Sequence, residues 1–301
     1  MAETFFERFR RQMDDMQFES MPLFSKPHFS WNLKTDYVGR RFVYRPRTDS
    51  TQDDARGMLS RWPLPSGAII LAEGQSSGRG RDGRAWVSPP DVGLYFTLLV
   101  FTQPETLRPL AYVTPLAIAL AVEEAVAKMG GSIRADLKWP NDVLIDGRKL
   151  AGVLIETTES QNAEPVALVG VGINVNLDVA VYPEIASIAT SLRDALGYEV
   201  PREEVLAAFC NHFETLYEAA SAGSSEPFEA WKQRLVTLGR DVVATGFGSD
   251  GLGGVRRGRS SSDIETIRGR AVDVDPDGAL IIETAPGARV RVEAGDVTLS
   301  A

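Results

Sequence analysis

Residues 73–86 read EGQSSGRGRDGRAW, a run with three arginines and four glycines around one aspartate, in a chain of net charge −9. Glycines allow backbone N–H groups to approach a ligand closely, and the planar fork of arginine matches carboxylate and phosphate oxygens. The apolar runs 67–73 and 93–101 predict buried strands on either side. A solvent-exposed basic turn is one interpretation. The alternative interpretation is a loop that closes over a pocket, and the predicted strands on either side favour it because they anchor both ends of the loop.

A second candidate for chemistry is the run 138–156, KWPNDVLIDGRKLAGVLIE. Lys138 ends an apolar-flanked strand directly before a Trp-Pro turn. It is either a solvent-facing lysine or a fixed point charge directed at a developing anion. The Lys-Leu-Ala-Gly segment that follows is equally consistent with close packing of strands.

Two shorter motifs allow more than one interpretation. In GVGINVN (170–176), Asn174 and Asn176 lie on the same side of a predicted strand, facing either solvent or a cleft. DST (49–51) precedes a predicted helix and is explained by helix capping alone.

The composition limits the class of protein. A chain of 301 residues with 44% hydrophobic content has room for one large domain and a small second one. We find no apolar run near the ~20 residues of a membrane-spanning helix and no signal peptide, so we expect a cytoplasmic protein with no membrane contact. The single cysteine, Cys210, excludes an intramolecular disulfide, and two histidines make a zinc site unfavourable. A pI near 5.0 argues against nucleic-acid binding.

The pattern along the chain predicts three segments. Residues 1–38 lack sustained periodicity and are interpreted as a flexible or loosely docked extension without a helix-turn-helix, with packing of a short helix as the alternative. Residues 39–238 alternate strands and helices, and residues 239–301 are short β-type runs that predict a separate barrel or sandwich. The Gly/Ser/Arg-rich run 246–263 is interpreted as a loop inserted in that module. The fold class is therefore α+β.

Taken together and in order, the motifs DST, EGQSSGRGRDGRAW, KWPND, KLAGVLIE and GVGINVN resemble the biotin–protein ligases. The resemblance implies a class II aminoacyl-tRNA-synthetase-like domain, with a central mixed β-sheet and flanking helices, and a small C-terminal β-barrel. It implies that ATP and Mg²⁺ activate biotin as biotinyl-5′-AMP. The biotinyl group then passes to one lysine of a biotin carboxyl carrier protein, such as that of acetyl-CoA carboxylase. A homodimer through an edge of the sheet is also possible in this family.

The resemblance assigns roles to residues that match the family motifs. The catalytic positions are Arg79, Arg81 and Lys138. The biotin-binding positions are Ser50, Thr51, Gln52, Gln75, Arg79, Gly80, Arg81 and Lys138. The positions for ATP and the adenylate are Arg79, Arg81, Arg84, Trp86, Lys138, Asn141 and Asn174, and Asn174 also corresponds to a position near Mg²⁺.

Some features depart from the family pattern. Gln52 stands where many relatives have asparagine, a change we expect to preserve the polarity of the pocket. Asp82 places a negative charge inside the arginine-rich loop. Two alternatives remain open: a lipoate or octanoyl transferase of the same fold, and a non-catalytic biotin sensor that regulates transcription. The absence of a recognisable DNA-binding motif favours a ligase without repressor activity.

Overall fold

The computed structural model describes residues 24–245, 266–293 and 295–299, which form two β-sheets and their helices. The predicted α+β class is confirmed. The larger sheet has the strand order β1-β2-β3-β7-β6-β5-β4; β1 and β2 are parallel, and the other neighbours are antiparallel. Its strands are β1 (Phe42–Arg45), β2 (Ile69–Ala72), β3 (Gly93–Phe101), β4 (Asp136–Lys138), β5 (Asp142–Ile145), β6 (Arg148–Glu159) and β7 (Pro165–Asn174).

One face of this sheet carries the main core, under two long helices. Helix α4 (Leu110–Lys128) is apolar on all sides, and helix α6 (Arg202–Ser221) packs on it through an apolar stripe that includes the fully buried Phe209 and Phe213. The other face carries helix α2 (Thr51–Leu59). The described helices are α1 (Lys26–Asn32), α2, α3 (Pro104–Leu107), α4, α5 (Leu192–Leu196), α6 and α7 (Glu226–Gln233), with 3₁₀ turns at Arg81–Gly83 and Val179–Val181.

The helical segment Glu105–Lys128 corrects one expectation from the sequence. It is long and apolar enough to cross a membrane by length and composition, although no such run was expected. In the structure, 72% of its most apolar window is buried. Its hydrophobicity is explained by its central position between the sheet and α6.

The segment 24–38 corrects a second expectation. Phe24 and Phe29 are buried, and their rings lie 5.6 Å and 5.1 Å from the ring of Phe42. The Glu214 carboxylate on α6 also accepts hydrogen bonds from the backbone N–H groups of residues 36–38. This part of the predicted extension is therefore docked in the core through aromatic packing. The rest of the predicted extension, residues 1–23, lies outside the described residues. The prediction that the extension contains no helix-turn-helix concerns mainly these residues.

The second sheet confirms the predicted C-terminal β module. It is antiparallel, with the order β11-β10-β9-β8-β12. The strands are β8 (Asp241–Thr245), β9 (Thr266–Val274), β10 (Leu280–Ala285), β11 (Ala288–Val292) and β12 (Asp296–Leu299). The predicted loop 246–263 lies outside the described residues.

Candidate functional site

The floor of the candidate site is a patch of glycine backbone on β6 and β7, on the sheet face that carries α2. Gly152 pairs with Gly172 across these strands. The indole of Trp86 lies directly on this pair: a Cβ at Gly172 would be 2.4 Å from Trp86 Nε1, and one at Gly152 would be 3.0 Å from the same ring. Only residues without side chains leave room for the tryptophan here.

The arginine-rich run forms a short hairpin over this floor. We call residues 73–92, which connect β2 and β3, the lid loop. Its backbone is tied by a bond from Trp86 N to Gly78 O (2.9 Å) and one from Gly80 N to Arg84 O (2.7 Å). Asp82 stands in the left-handed region at the turn, with φ 54°. Aspartate is one of the few residues that tolerate this conformation, so Asp82 helps to form the turn.

The base of the lid loop is held by a buried chain of neutral hydrogen bonds. Thr97 Oγ1 on β3 donates to Thr51 Oγ1 (2.9 Å), and Thr51 N donates to Gln75 Oε1 (2.9 Å). Gln75 Nε2 then donates to Ser88 Oγ (3.1 Å), which donates to Trp86 O (3.0 Å). This chain fixes the start of α2 to both sides of the lid loop.

Cationic side chains gather between the lid loop and the β4–β5 turn. Burial lowers the pKa of Lys138, and the Asp142 carboxylate opposes this effect. Burial likewise lowers the pKa of Arg81, which interacts with the same Asp142 and with Arg84. Within the described residues, the Lys138 side chain makes no hydrogen bond or ion pair, whereas Arg84 pairs with Asp82 and Asp296. Asp142, Asp82 and Asp296 therefore offset much of the positive charge of this group, and in the described part of the chain Lys138 is the member without a direct partner.

Comparisons with known proteins identify the family of this chain. Residues 44–174 match the model of the biotin/lipoate A/B protein ligase family, and residues 263–300 match that of the biotin protein ligase C-terminal domain. The biotin–[acetyl-CoA-carboxylase] ligase of Paracoccus denitrificans is 32% identical over 81% of this chain and 95% of its own length. The bifunctional ligase/repressor BirA of Bacillus subtilis is 30% identical, over 91% of this chain and 79% of its own length.

The chain belongs to the biotin–protein ligase family. A solved structure supports the assignment: the biotin protein ligase from Aquifex aeolicus, in complex with biotin and ATP, is similar with a TM-score of 0.69 and 28% identity. The match covers 87% of this chain and 99% of that one. The chain is accordingly a ligase, and the resemblance inferred from its motifs is confirmed.

The structure brings some of the predicted residues of this ligase together and separates others. Arg81, Arg84 and Lys138 interact electrostatically with one another or with Asp142. Arg79 instead forms a bidentate pair with Asp53 on α2 (2.6 and 2.7 Å), and the hydrogen bonds from Arg79 lower the pKa of that carboxyl although burial opposes them. The three predicted catalytic side chains therefore do not form one cluster in this structure.

Several of the predicted polar residues are engaged within the protein. Gln52 Nε2 donates to Leu154 O (2.9 Å), Asn174 Nδ2 donates to Thr190 O (3.0 Å), and Asn141 Nδ2 donates to Val153 O. Together with Thr51 and Gln75 in the buried chain, these residues shape the site by holding its backbone. Ser50 is buried at the N-cap of α2, where its side chain makes no capping bond.

A magnesium ion held by the protein does not fit the donors present. The described residues include no group of three or more histidine, cysteine, aspartate or glutamate side chains suited to a metal. Asn174 is buried, and its amide nitrogen is already used. Mg²⁺ is usually bound through carboxylates and substrate phosphates, and one amide oxygen is a weak substitute.

Two features of the site were missed from the sequence. Lys149 Nζ lies 5.3 Å from the Trp86 ring centroid and 2.6 Å from Asp142 Oδ1, so it joins the cationic group. The motif KLAGVLIE contains this lysine and contributes to the family resemblance, but its pattern, equally consistent with close packing of strands, assigns the lysine no role. The indole N–H of Trp139 donates to Gly278 O (2.8 Å), which connects the KWPND motif to the C-terminal module.

The size of cavities does not locate the site. A surface cleft of about 520 Å³ lies at the far end of the sheet, beside Trp62 and Phe101, and none of the predicted residues lines it. The site is marked by charge and by the glycine floor. In addition, Trp86 Nε1 is buried and, among the described residues, has no hydrogen-bond partner.

Proposed function

We propose that this ligase uses ATP to convert biotin into biotinyl-5′-AMP and then transfers the biotinyl group to a lysine of a biotin carboxyl carrier domain. The observation that carries this proposal is the cationic group at the edge of a glycine floor covered by the Trp86 indole. The names of the relatives, and the biotin and ATP bound in the Aquifex aeolicus structure, support biotin and ATP as the substrates.

The first step joins two anions. An oxygen of the biotin carboxylate attacks the α-phosphorus of ATP, the bond from that phosphorus to the bridging oxygen breaks, and pyrophosphate leaves. Arg81, Lys138 and Lys149 offset the repulsion between the carboxylate and the phosphate, because their charges are already in place when negative charge accumulates. Burial lowers the pKa of Lys138, and the arrival of two anions favours its charged form again.

The second step releases AMP. The neutral amine of the carrier lysine attacks the carbonyl carbon of the mixed anhydride, the bond from that carbon to the phosphate oxygen breaks, and the amine loses its proton. No protein nucleophile is required. The mixed anhydride is sensitive to water, so the lid loop and Trp86 shelter it until the carrier arrives. The unpaired indole N–H of Trp86 is available to an acceptor atom of the ligand.

We further propose that the ligase acts without repressor activity, in the cytoplasm, with the carrier domain as its protein partner. The acidic composition supports this, since binding to DNA phosphates requires a basic surface. The relatives include both a ligase and a bifunctional ligase/repressor, so a gel-shift assay with biotin, ATP and promoter DNA is the relevant test. Ligand-dependent retardation of the DNA would contradict the proposal.

The central test uses the purified protein, biotin, ATP and a carrier domain. We expect a biotinylated carrier on a streptavidin blot, and no product when ATP is omitted. A lipoate ligase is the second candidate, because the matched family model covers both activities. ATP–pyrophosphate exchange that depends on lipoate and not on biotin would replace the proposed function with that one.

A further inference from the structure

The ion pair Glu73–Arg202 is buried to an unusual degree for two charged residues. Arg202 Nη1 lies 2.5 Å from Glu73 Oε2, and the two side chains are 6% and 2% exposed. The other ion pairs of the described residues are considerably more exposed, like Arg79–Asp53 at 36% and 50%. Burial of two charges is costly unless they are paired and hydrogen-bonded, and here both conditions are met.

This pair joins both ends of the lid loop to the body of the protein. Glu73 is the first residue of the lid loop, and Arg202 Nη1 also donates to the carbonyl of Gly93 (3.2 Å), the first residue of β3 after it. Glu73 Oε1 accepts from Tyr44 Oη on β1 and from Phe24 N in the N-terminal segment, each at 2.8 Å. Three separate segments of the chain therefore donate hydrogen bonds to one carboxylate.

Asp91 completes the cluster just before the lid loop ends. It stands in the left-handed region (φ 66°), and its carboxyl contacts Glu73. Burial and the neighbouring Glu73 raise the pKa of Asp91 to about 6. Although burial opposes the change, Arg202 keeps the pKa of Glu73 below its usual value, so Glu73 ionises at a lower pH than Asp91.

We propose that Glu73 and Arg202, with Asp91, are positioning residues for the ligase reaction: they clamp the two ends of the lid loop and so hold its arginines and Trp86 over the site. This inference rests on the proposed function, since it concerns the same lid. The clamp residues do not touch the cationic group. They act through the backbone of the lid loop, which starts at Glu73 and ends next to Gly93.

The first arm of the test measures the lid loop without substrates. Amide hydrogen exchange is followed at Gln75 and Trp86, whose N–H groups bond to Ser88 O and Gly78 O. In Glu73→Gln we expect this exchange to accelerate by about tenfold or more, because local opening of the loop becomes easier. Glu214→Gln is the matched control, since that carboxylate also holds backbone N–H groups but lies away from the lid.

The second arm measures the reaction at a temperature where the variants remain folded. We expect biotinyl-5′-AMP to leave the Glu73→Gln enzyme about tenfold faster before carrier is added, while the Glu214→Gln control retains it like the wild type. Arg202→Lys keeps the charge but shortens the side chain and removes the planar guanidinium, so we expect its contacts with Glu73 Oε2 and Gly93 O to weaken. Arg202→Lys replaces Glu73→Gln if the latter does not fold. We expect faster amide exchange and faster loss of biotinyl-5′-AMP from it as well.

The outcomes separate this inference from the proposed function. Unchanged exchange in the lid loop overturns the clamp, whatever the activity. Faster exchange with normal retention of the adenylate shows that the cluster serves only folding, and it also overturns the positioning role. If the wild type makes no biotinyl-5′-AMP at all, the proposed function fails instead, and that result is visible before any variant is compared.

Discussion

The two parts of the lid loop differ in their burial and in the way their polar groups are paired. Its roots, residues 73–76 and 88–92, are largely buried, and the side chains of Glu73, Gln75, Ser76 and Ser88 are hydrogen-bonded inside the protein. Its tip, residues 79–85, is largely exposed, and two of its arginines pair with carboxylates from other elements, Arg79 with Asp53 on α2 and Arg84 with Asp296 on β12. Arg81 is half-buried and donates instead to Gly295 O (3.3 Å). Exposed pairs contribute little to stability and are easily exchanged, so an anionic substrate can replace them. The roots thus determine stability and position, and the tip is free for chemistry.

The largest effect is expected at Lys138 on β4. This lysine lies near Arg84 of the tip and has no ion-pair partner in the described part of the chain. In Lys138→Ala we expect adenylate formation to fall by about 10²–10³-fold, because one preorganised charge is lost, while the melting temperature changes little. Pyrophosphate exchange and thermal unfolding measure the two effects. Lys232→Ala, which removes a partly exposed lysine paired with Asp273, is the control. A normal exchange rate in Lys138→Ala would refute the role of that charge.

The glycine floor should contribute to stability and to the position of the lid loop, as the roots do, because the Trp86 ring leaves no space for a side chain there. Gly172→Ala places a Cβ 2.4 Å from Trp86 Nε1. We expect it to lower the free energy of unfolding by about 1–3 kcal/mol and to shorten the lifetime of the bound adenylate. Gly152→Ala is the matched comparison, since its Cβ meets the same ring at 3.0 Å and the flexible end of Lys149 at 3.1 Å. Equal effects of the two substitutions would contradict this account of the floor.

The neutral root network predicts a smaller loss, confined to stability. Thr97→Val removes the hydroxyl that donates to Thr51 Oγ1 but keeps the shape of a buried residue on β3. We expect the free energy of unfolding in urea to fall by about 1 kcal/mol, the usual contribution of one buried hydrogen bond. Thr215→Val, at a less buried hydroxyl on α6, should change it by less than about 0.5 kcal/mol. Comparable losses at the two sites would remove the distinction between the root and an ordinary surface.

The root also predicts a pH dependence through Asp91. Its pKa is raised to about 6 in the folded protein, so the folded state binds this proton more tightly than the unfolded state. Its contribution to stability is therefore present at acidic pH and is lost as the pH rises through about 6. The free energy of unfolding of the wild type should therefore decline between about pH 4 and pH 7. Asp91→Asn should reduce this decline, because asparagine also tolerates the left-handed backbone but carries no titrating carboxyl. Chemical denaturation at several pH values measures it.

Asp146 provides the control for this measurement, because it is an exposed aspartate with a left-handed φ of 49° outside the lid loop. Asp146→Asn should leave the pH dependence unchanged. If Asp91→Asn and the wild type lose stability in parallel over this range, the titration of Asp91 is not coupled to folding.

The smallest effect is expected at the contact between the tip and the C-terminal module. Arg84 pairs with Asp296, and the two side chains are 61% and 38% exposed. Asp296→Asn should change the free energy of unfolding by less than about 1 kcal/mol, and added salt should abolish the difference. Thermal unfolding at low and high salt is sufficient, with Asp277→Asn, which breaks a pair with Arg108, as the control. A loss well above this range would mean that the tip is held as firmly as the roots.

The sequence predicted the features that depend on local pattern. The apolar run 93–101 predicted β3, and the arginine-glycine run together with KWPND indicated the family. It did not predict the docking of residues 24–38, the pairing of Arg79 with Asp53, or the position of Lys149. Each of these depends on contacts between segments that are distant in the chain. The local pattern of a single sequence carries no signal for such contacts.

The apolar surface of helix α4 has a consequence for biosynthesis. This helix packs more extensively on α6 than on any other element, yet α4 ends at Lys128 and α6 begins only at Arg202. At typical rates of translation the intervening stretch takes roughly 4 to 15 s to make. During that interval the growing chain contains a segment as hydrophobic as a membrane span without its main helical partner. Exposed hydrophobic surface of this kind is prone to aggregation, so we expect synthesis of this region to be the step most sensitive to it.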